Sequence, residues 1–374
     1  MRRLAPPDDS SRGLAIGRRG AFFPLASALL GLGMLLSPPG VSLGQSPERT
    51  PVVTTPHFAF YSHFDTNLND ALIAAGAARK GGKPELFQSG SEKSCFDRLP
   101  PSGRAAWDGA VNYYKEIISP TGSNDRQRYL LRVQLAGFEE ELKDAGARQF
   151  VEIARHLRAA AAPAYMACRW AAQDEKNRRW IERLMPQLAA HEQRIAPRLE
   201  ELYHQRWSPL PIPLDVVETV DWSGANAILR DPAGGHLLIS NSYEGLAALE
   251  VAFHEASHLL MGRNAPLRQA LETAAGAADW RLPADLWHVV LFYTTGEAVR
   301  RILEDDGRPE YTPMVYAIFD RGAWPGYRKA LESTWRPYVH GERPLSDAAA
   351  GLIGALRNPE QPQPDRGQPK TPGQ

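Results

Sequence analysis

The hydrophobic pattern of this chain changes its period once, near residue 212, and that change limits the folds available to it. Between residues 102 and 206 apolar positions recur every three or four residues, as at Leu131 and Leu135, which is the spacing of one-faced helices. The segment 212–240 is instead extended, with the runs IPLDVVETVDW, ANAILRD and HLLIS, and the turn residues 231–235 separate the last two. We therefore expect an α+β protein that is predominantly helical and contains a small antiparallel sheet.

A helix rich in apolar residues is predicted immediately after this sheet. It should begin near Ser242, a good N-cap residue, and end at Gly262, which suits the position after a helix C-terminus. The sequence also predicts an earlier strand within HFAFYSHF at 57–64. Further helices are expected at 67–80, 265–276, 283–304, 325–335 and 345–357.

The two ends of the chain differ from the rest in composition. Five arginines precede the apolar run AFFPLASALLGLGMLL, and small residues follow it, which is typical of a secretory signal peptide over 1–44 that is cleaved after Gly44. We expect a secreted or periplasmic protein without a stable membrane span after cleavage. The expected organisation is a linker at 45–56, a mostly helical region at 57–211, a metal-binding domain at 212–357 and a disordered, proline-rich tail at 358–374.

Charge and cysteine content narrow the possible functions. The chain has 374 residues, of which 43% are hydrophobic, so it can bury a full core. Its 43 basic residues are balanced by 43 acidic ones, so no overall field attracts nucleic acid. In an oxidising compartment, Cys95 and Cys168 either form one disulfide or remain two buried thiols.

The segment AFHEASHLLMG at 252–262 carries the clearest chemical signal. Residues four apart lie one turn apart on the same helix face, so His254 and His258 can direct two imidazole nitrogens at one metal ion. Glu255 is rotated by about 100 degrees from His254, beside the ion, where it can take a proton from a water molecule. This pattern is typical of zinc hydrolases, and Glu255 is the predicted general base.

The residues around the motif argue against a coincidence. A chance H-E-x-x-H is expected about once or twice in a hundred chains of this length and composition. Here the flanking residues are apolar, which predicts that the helix is buried on all sides. Two histidines and a glutamate in such a helix are costly without a cation, although satisfied core histidines are the alternative.

A zinc site needs a third protein ligand. Met261 and Asn264 occupy the glycine and histidine positions of the metzincin pattern, so that pattern is excluded. Glu297 is the favoured ligand, because it lies on the apolar stripe of its helix, where a carboxylate needs a cation. His288 and Glu272 are the alternatives.

His288 precedes Glu297 by nine residues, half a turn out of phase, so only one of the two can face the ion. If Glu297 is not a ligand, a buried ion pair with Arg301 is the expected alternative.

The motif with a downstream glutamate resembles the gluzincins, a clan of zinc peptidases, over about residues 212–340. The resemblance implies that His254, His258 and Glu297 bind Zn²⁺, and that an edge strand, here HLLIS, runs over the active-site helix and holds an extended substrate. Arg301 stands where these enzymes often carry an aspartate that orients a histidine, and Glu250 is a possible substitute.

Peptide hydrolysis also requires a donor to the oxyanion, which gluzincins take from a tyrosine or histidine beyond the third ligand. Tyr311 is the preferred candidate, with His340 and Tyr316 as others. The sequence therefore predicts an exported zinc metallopeptidase that acts on peptides or proteins. The alternative is a non-catalytic envelope protein that retains the fold and the metal.

Overall fold

A computed structural model describes residues 50–117, 125–220, 224–230 and 234–357. All of them belong to one compact unit that begins at Thr50. The predicted signal peptide and the proline-rich tail lie outside the described residues. Of the described helices, none combines the length and the apolar character that a membrane crossing requires.

The sheet has five strands in the order β1-β2-β3-β5-β4. Their bounds are Val53–Thr54 for β1, Phe58–Tyr61 for β2, Ile212–Val217 for β3, Ala225–Arg230 for β4 and Gly234–Ser240 for β5. The pairs β2–β3 and β3–β5 are parallel, whereas β1–β2 and β4–β5 are antiparallel. The sheet is thus mixed, and the prediction of an antiparallel sheet is wrong. The helices between β2 and β3 provide the long crossover that a parallel pair needs.

The predicted hairpin is confirmed in its strand pairing, since β4 runs antiparallel to β5. Its turn residues 231–233 lie outside the described residues. The expected edge strand HLLIS is instead internal, because β5 lies between β3 and β4. Its side chains are buried on both faces, as its unbroken apolar run allows, whereas β4 ends in the exposed pair Leu229 and Arg230. Among the described strands, β4 is therefore the edge beside β5.

Helices make up most of the described chain, as expected. The bounds before the sheet hairpin are Phe64–Lys80 (α1), Gly90–Asp97 (α2), Pro101–Ile117 (α3), Asp125–Leu135 (α4), Ala145–Tyr165 (α5) and Ala171–Tyr203 (α6). Those after it are Gly245–Ser257 (α7), Pro266–Ala277 (α8), Leu286–Asp305 (α9), Met314–Asp320 (α10), Tyr327–Ala330 (α11), Arg336–Val339 (α12) and Leu345–Arg357 (α13). Short 3₁₀ turns cover Glu139–Glu141 and His258–Leu260, and π-helical turns cover Met166–Trp170 and Leu331–Trp335.

The sheet is covered by helices on both faces. Leu214 and Leu237 face a large core that includes apolar side chains of α6, α7 and α9. Val217 and Leu238 face the opposite side and pack with residues of α4 and α5. Because β2 and α6 belong to the same sheet and core as β3 and α7, the predicted boundary at 211/212 does not coincide with a gap in the packing.

Cys95 and Cys168 form a disulfide, which decides between the two possibilities left open by the sequence. It connects α2 to the π-helical turn that follows α5. Beside it, Arg169 forms ion pairs with Glu92 and Glu218. The disulfide and the ion pairs together fix α2 against the end of β3.

Candidate metal centre

Three histidines meet between α7 and α9. His254 lies in the last turn of α7, His258 opens the following 3₁₀ turn, and His288 lies in the first turn of α9. One ligand nitrogen from each falls within 4.8 Å of the others, so the group could hold a metal ion. The ring centroids are 5.2 Å apart for His254–His258 and His258–His288, and 5.5 Å apart for His254–His288.

Close packing between the secondary-structure elements produces this arrangement. Gly235 of β5 carries no Cβ, and a Cβ there would lie 2.8 Å from the carbonyl oxygen of Ile228 and 3.3 Å from Leu259. The glycine therefore lets the turn that begins at His258 approach the hairpin. On the other side, the ring of Phe292 packs on His254 with a centroid distance of 4.0 Å.

Burial keeps all three imidazoles neutral at physiological pH. Desolvation lowers the pKa of His258 to about 3 and that of His288 to about 4, and it holds the pKa of His254 well below its usual value. The neighbouring imidazoles contribute further in His254 and His258, because each disfavours a second positive charge. The neutral ring is the form that binds a metal ion.

Glu255 lies beside the imidazoles and is buried. Its carboxylate oxygens are 3.9 Å from Nε2 of His254 and 4.0 Å from Nε2 of His258. Burial raises the pKa of Glu255 to about 8, while the charge of Arg132 lowers it. A cation held by the histidines would act in the same direction as Arg132: it would lower the pKa of Glu255 and favour the ionised carboxylate.

Glu297 is buried, as predicted, but its carboxylate already has other partners. Oε2 lies 3.0 Å from Arg300, and Oε1 accepts a hydrogen bond of 2.9 Å from the hydroxyl of Tyr316. Arg336 lies 3.8 Å from the same carboxylate. Among the described residues, Glu297 does not belong to the group that could hold a metal, and His288 takes that place. The expected partner Arg301 is replaced by Arg300, one position earlier.

The other candidate residues contact groups other than the imidazoles. The Tyr311 hydroxyl donates to Glu250, whose carboxylate also accepts from the backbone N–H of Met314 at 3.1 Å. Nε2 of His340 is 3.8 Å from Glu297. Glu272 is exposed on α8, as its sequence context suggested. In the part of the chain described, Tyr311 thus contacts Glu250, and both Tyr316 and His340 contact Glu297, rather than Glu255 or the three histidines.

Two residues near the imidazoles were not identified from the sequence. Trp287 packs edge-on against His258 at a centroid distance of 5.7 Å, and the guanidinium of Arg268 stacks 4.0 Å from the centre of the Trp287 ring. The only available signal was the position of Trp287 directly before His288. Arg268 lies in α8, and its stacking on Trp287 is a tertiary contact that no local sequence pattern reports.

Comparisons with protein family models, with curated proteins and with solved structures found no match. The functional argument therefore depends on the geometry of the site.

Proposed function

We propose that this protein is an exported zinc-dependent hydrolase that cleaves peptide bonds. The observation that carries the proposal is the convergence of three neutral imidazoles that could hold a metal ion, beside a buried carboxylate that does not belong to this group and lies about 4 Å from two of the imidazole nitrogens. Three histidines with an open fourth position are a donor set of catalytic zinc sites. A purely structural site would be closed by a fourth histidine or cysteine.

The residues present fit a zinc ion. One nitrogen from each of the three imidazoles lies within 4.8 Å of the others, and neutral imidazole nitrogens are donors that zinc accepts. His254, His258 and His288 would hold the ion. Bound zinc would supply Lewis-acid activation of water and of the substrate carbonyl.

Glu255 has the position and the environment of a general base. It would accept a proton from the attacking water molecule and deliver that proton to the leaving amine. Its burial excludes bulk solvent, which favours transfer within the site over exchange with water. Glu297 as the third ligand, which the gluzincin resemblance implies, would first have to leave Arg300 and Tyr316, so we favour His288.

The position of β4 supports an extended substrate. Among the described strands, β4 lies at the edge of the sheet and contacts both α7 and the turn that begins at His258, so an extended peptide could bind alongside it. The disulfide supports export, because such bonds persist in oxidising compartments.

The direct test is zinc content by mass spectrometry, together with hydrolysis of a peptide library, on purified mature protein. We expect one zinc ion per chain in the wild type. His288→Ala should lose it, whereas Glu255→Gln should retain zinc and lose hydrolysis.

Glu297→Gln is the matched control, since it keeps the shape of the side chain while removing the charge. It should retain zinc if His288 is the ligand. Loss of zinc in Glu297→Gln but not in His288→Ala would instead support the gluzincin ligand set. A wild-type protein that binds no zinc after reconstitution would refute the proposal.

A further inference from the structure

The guanidinium of Arg268 stacks on an aromatic ring beside the metal centre. It stacks on Trp287 with Cζ 4.0 Å from the ring centre, a distance at which cation–π attraction is effective. The side chain is half-buried, and Trp287 separates it from the ligand histidine His258 by one ring.

Among the described residues, the guanidinium of Arg268 has no carboxylate within ion-pair distance, and its buried Nε–H has no acceptor. The nearest acidic influence is Glu272, one turn further along α8, which acts on Arg268 only at longer range. A planar donor that is stacked in place and left without an acceptor is suited to bind an anion from outside the chain.

Arg268 also lies next to the metal centre. The Trp287 ring on which it stacks contacts two of the imidazoles, with centroid distances of 5.7 Å to His258 and 5.4 Å to His288. His258, His288 and Trp287 are all half-buried, whereas His254 is buried, so the accessible side of the centre is the side on which Arg268 lies.

We propose that Arg268 binds a carboxylate of the substrate, so that the enzyme prefers peptides with a negative charge close to the scissile bond. This inference depends on the proposed zinc hydrolase function and specifies its substrate class. An extended peptide advances about 3.3 Å per residue. With the scissile bond at the imidazoles, a substrate carboxylate one to three residues away could therefore reach the guanidinium of Arg268 on the far face of the Trp287 ring.

The test uses metal-chelating probes and needs no turnover. Zinc-loaded full-length mature protein is titrated calorimetrically with the monohydroxamates of malonic, succinic and glutaric acid, and with the methyl ester of each. We expect at least one acid to bind about ten- to a hundredfold more tightly than its ester, since a charge-assisted hydrogen bond contributes that much. Arg268→Gln should reduce this preference to less than about threefold while keeping the ester affinity.

Arg263→Gln is the matched control, because Arg263 is exposed near Arg268 but does not stack on Trp287. It should keep the preference. Arg268→Lys should lose at least about threefold of it, because an ammonium group lacks the planar fork. If Arg268→Gln fails to fold, the preference for acids over esters in Arg268→Lys tests the inference instead.

Equal binding of acids and esters by the wild type would overturn the inference, as would a preference that survives in Arg268→Gln. Zinc binding without such a preference leaves the proposed function intact, whereas absence of zinc refutes both. If peptides are hydrolysed, comparing free acids with amides identifies a C-terminal carboxylate as the source. A preference for aspartate or glutamate in amidated peptides identifies an acidic side chain.

Discussion

Replacing Asp215 by asparagine tests how the strands that support the metal centre are held together. Asp215 is fully buried in β3 and accepts hydrogen bonds from His236 of β5 at 2.9 Å, from Thr66 of α1 at 3.0 Å and from His63 at 3.0 Å. Asparagine keeps the size of the side chain but places an N–H₂ group against some of these donors. We expect Asp215→Asn to reduce the free energy of unfolding by about 3–5 kcal/mol at pH 7, as for other broken buried pairs.

The effect should depend on pH in a defined direction. Burial alone would raise the pKa of Asp215, but the hydrogen bonds and charges of His236 and His63 outweigh it and hold the pKa well below its usual value. A carboxylate with a depressed folded-state pKa stabilises the protein fully above its unfolded pKa of about 4, and this contribution falls as the pH drops below that value. The difference between wild type and variant should therefore shrink by about 1 kcal/mol between pH 4 and pH 3.

Urea unfolding followed by tryptophan fluorescence at pH 7, 5, 4 and 3 measures this difference. Thr66→Val provides a control that removes one donor and leaves the carboxylate, and it should cost about 1 kcal/mol. A loss of less than 1 kcal/mol in Asp215→Asn, or a difference that stays constant down to pH 3, would show that Asp215 does not hold β3, β5 and α1 together as described.

Three further substitutions have defined outcomes. Replacing both cysteines of the disulfide by alanine should cost about 4 kcal/mol in urea unfolding, because the closed loop is long; an unchanged midpoint would contradict this. Tyr311→Phe leaves Glu250 without its hydroxyl donor and should cost about 1–3 kcal/mol without loss of zinc or hydrolysis, whereas an oxyanion role predicts lost hydrolysis with normal stability. Gly296→Ala places a Cβ 2.8 Å from Pro313 and should destabilise the protein by about 1–3 kcal/mol. Gly354→Ala is the control, because a Cβ there meets nothing within 4 Å, and it should not destabilise the protein. Thermal melts of both variants measure the difference.

The sequence was sufficient for the helical class, the hairpin pairing and two of the three histidines, because each depends on local periodicity or on a fixed spacing. It was insufficient for the strand order. β2 and β3 are separated by about 150 residues, and their parallel pairing is a long-range contact that no local pattern reports. The N-terminus of α7 shows the usual boundary error, since its N-cap is Glu244 rather than Ser242.

Burial alone does not decide between the candidates for the third ligand. The sequence favours Glu297 because it shares a stripe with apolar residues, and Glu297 is fully buried. However, α9 is buried on nearly all sides over Val289–Val299, so its apolar stripe does not identify the face that meets α7. The partners that satisfy Glu297 are Arg300 and Tyr316, and the sequence pattern did not distinguish these from a metal ion.

The packing of α7 against α9 is the reason that we propose His288 as the third ligand. Polar side chains between these helices form two levels, with Glu250 and Glu297 at one and the imidazoles of His254 and His288 at the other. At the first level, hydroxyl, guanidinium and backbone donors already satisfy the carboxylates. At the second, the described imidazoles have only each other, aromatic rings and a carboxylate at about 4 Å. A cation can therefore bind at the imidazole level without breaking an existing bond, whereas recruiting Glu297 would break its bonds to Arg300 and Tyr316.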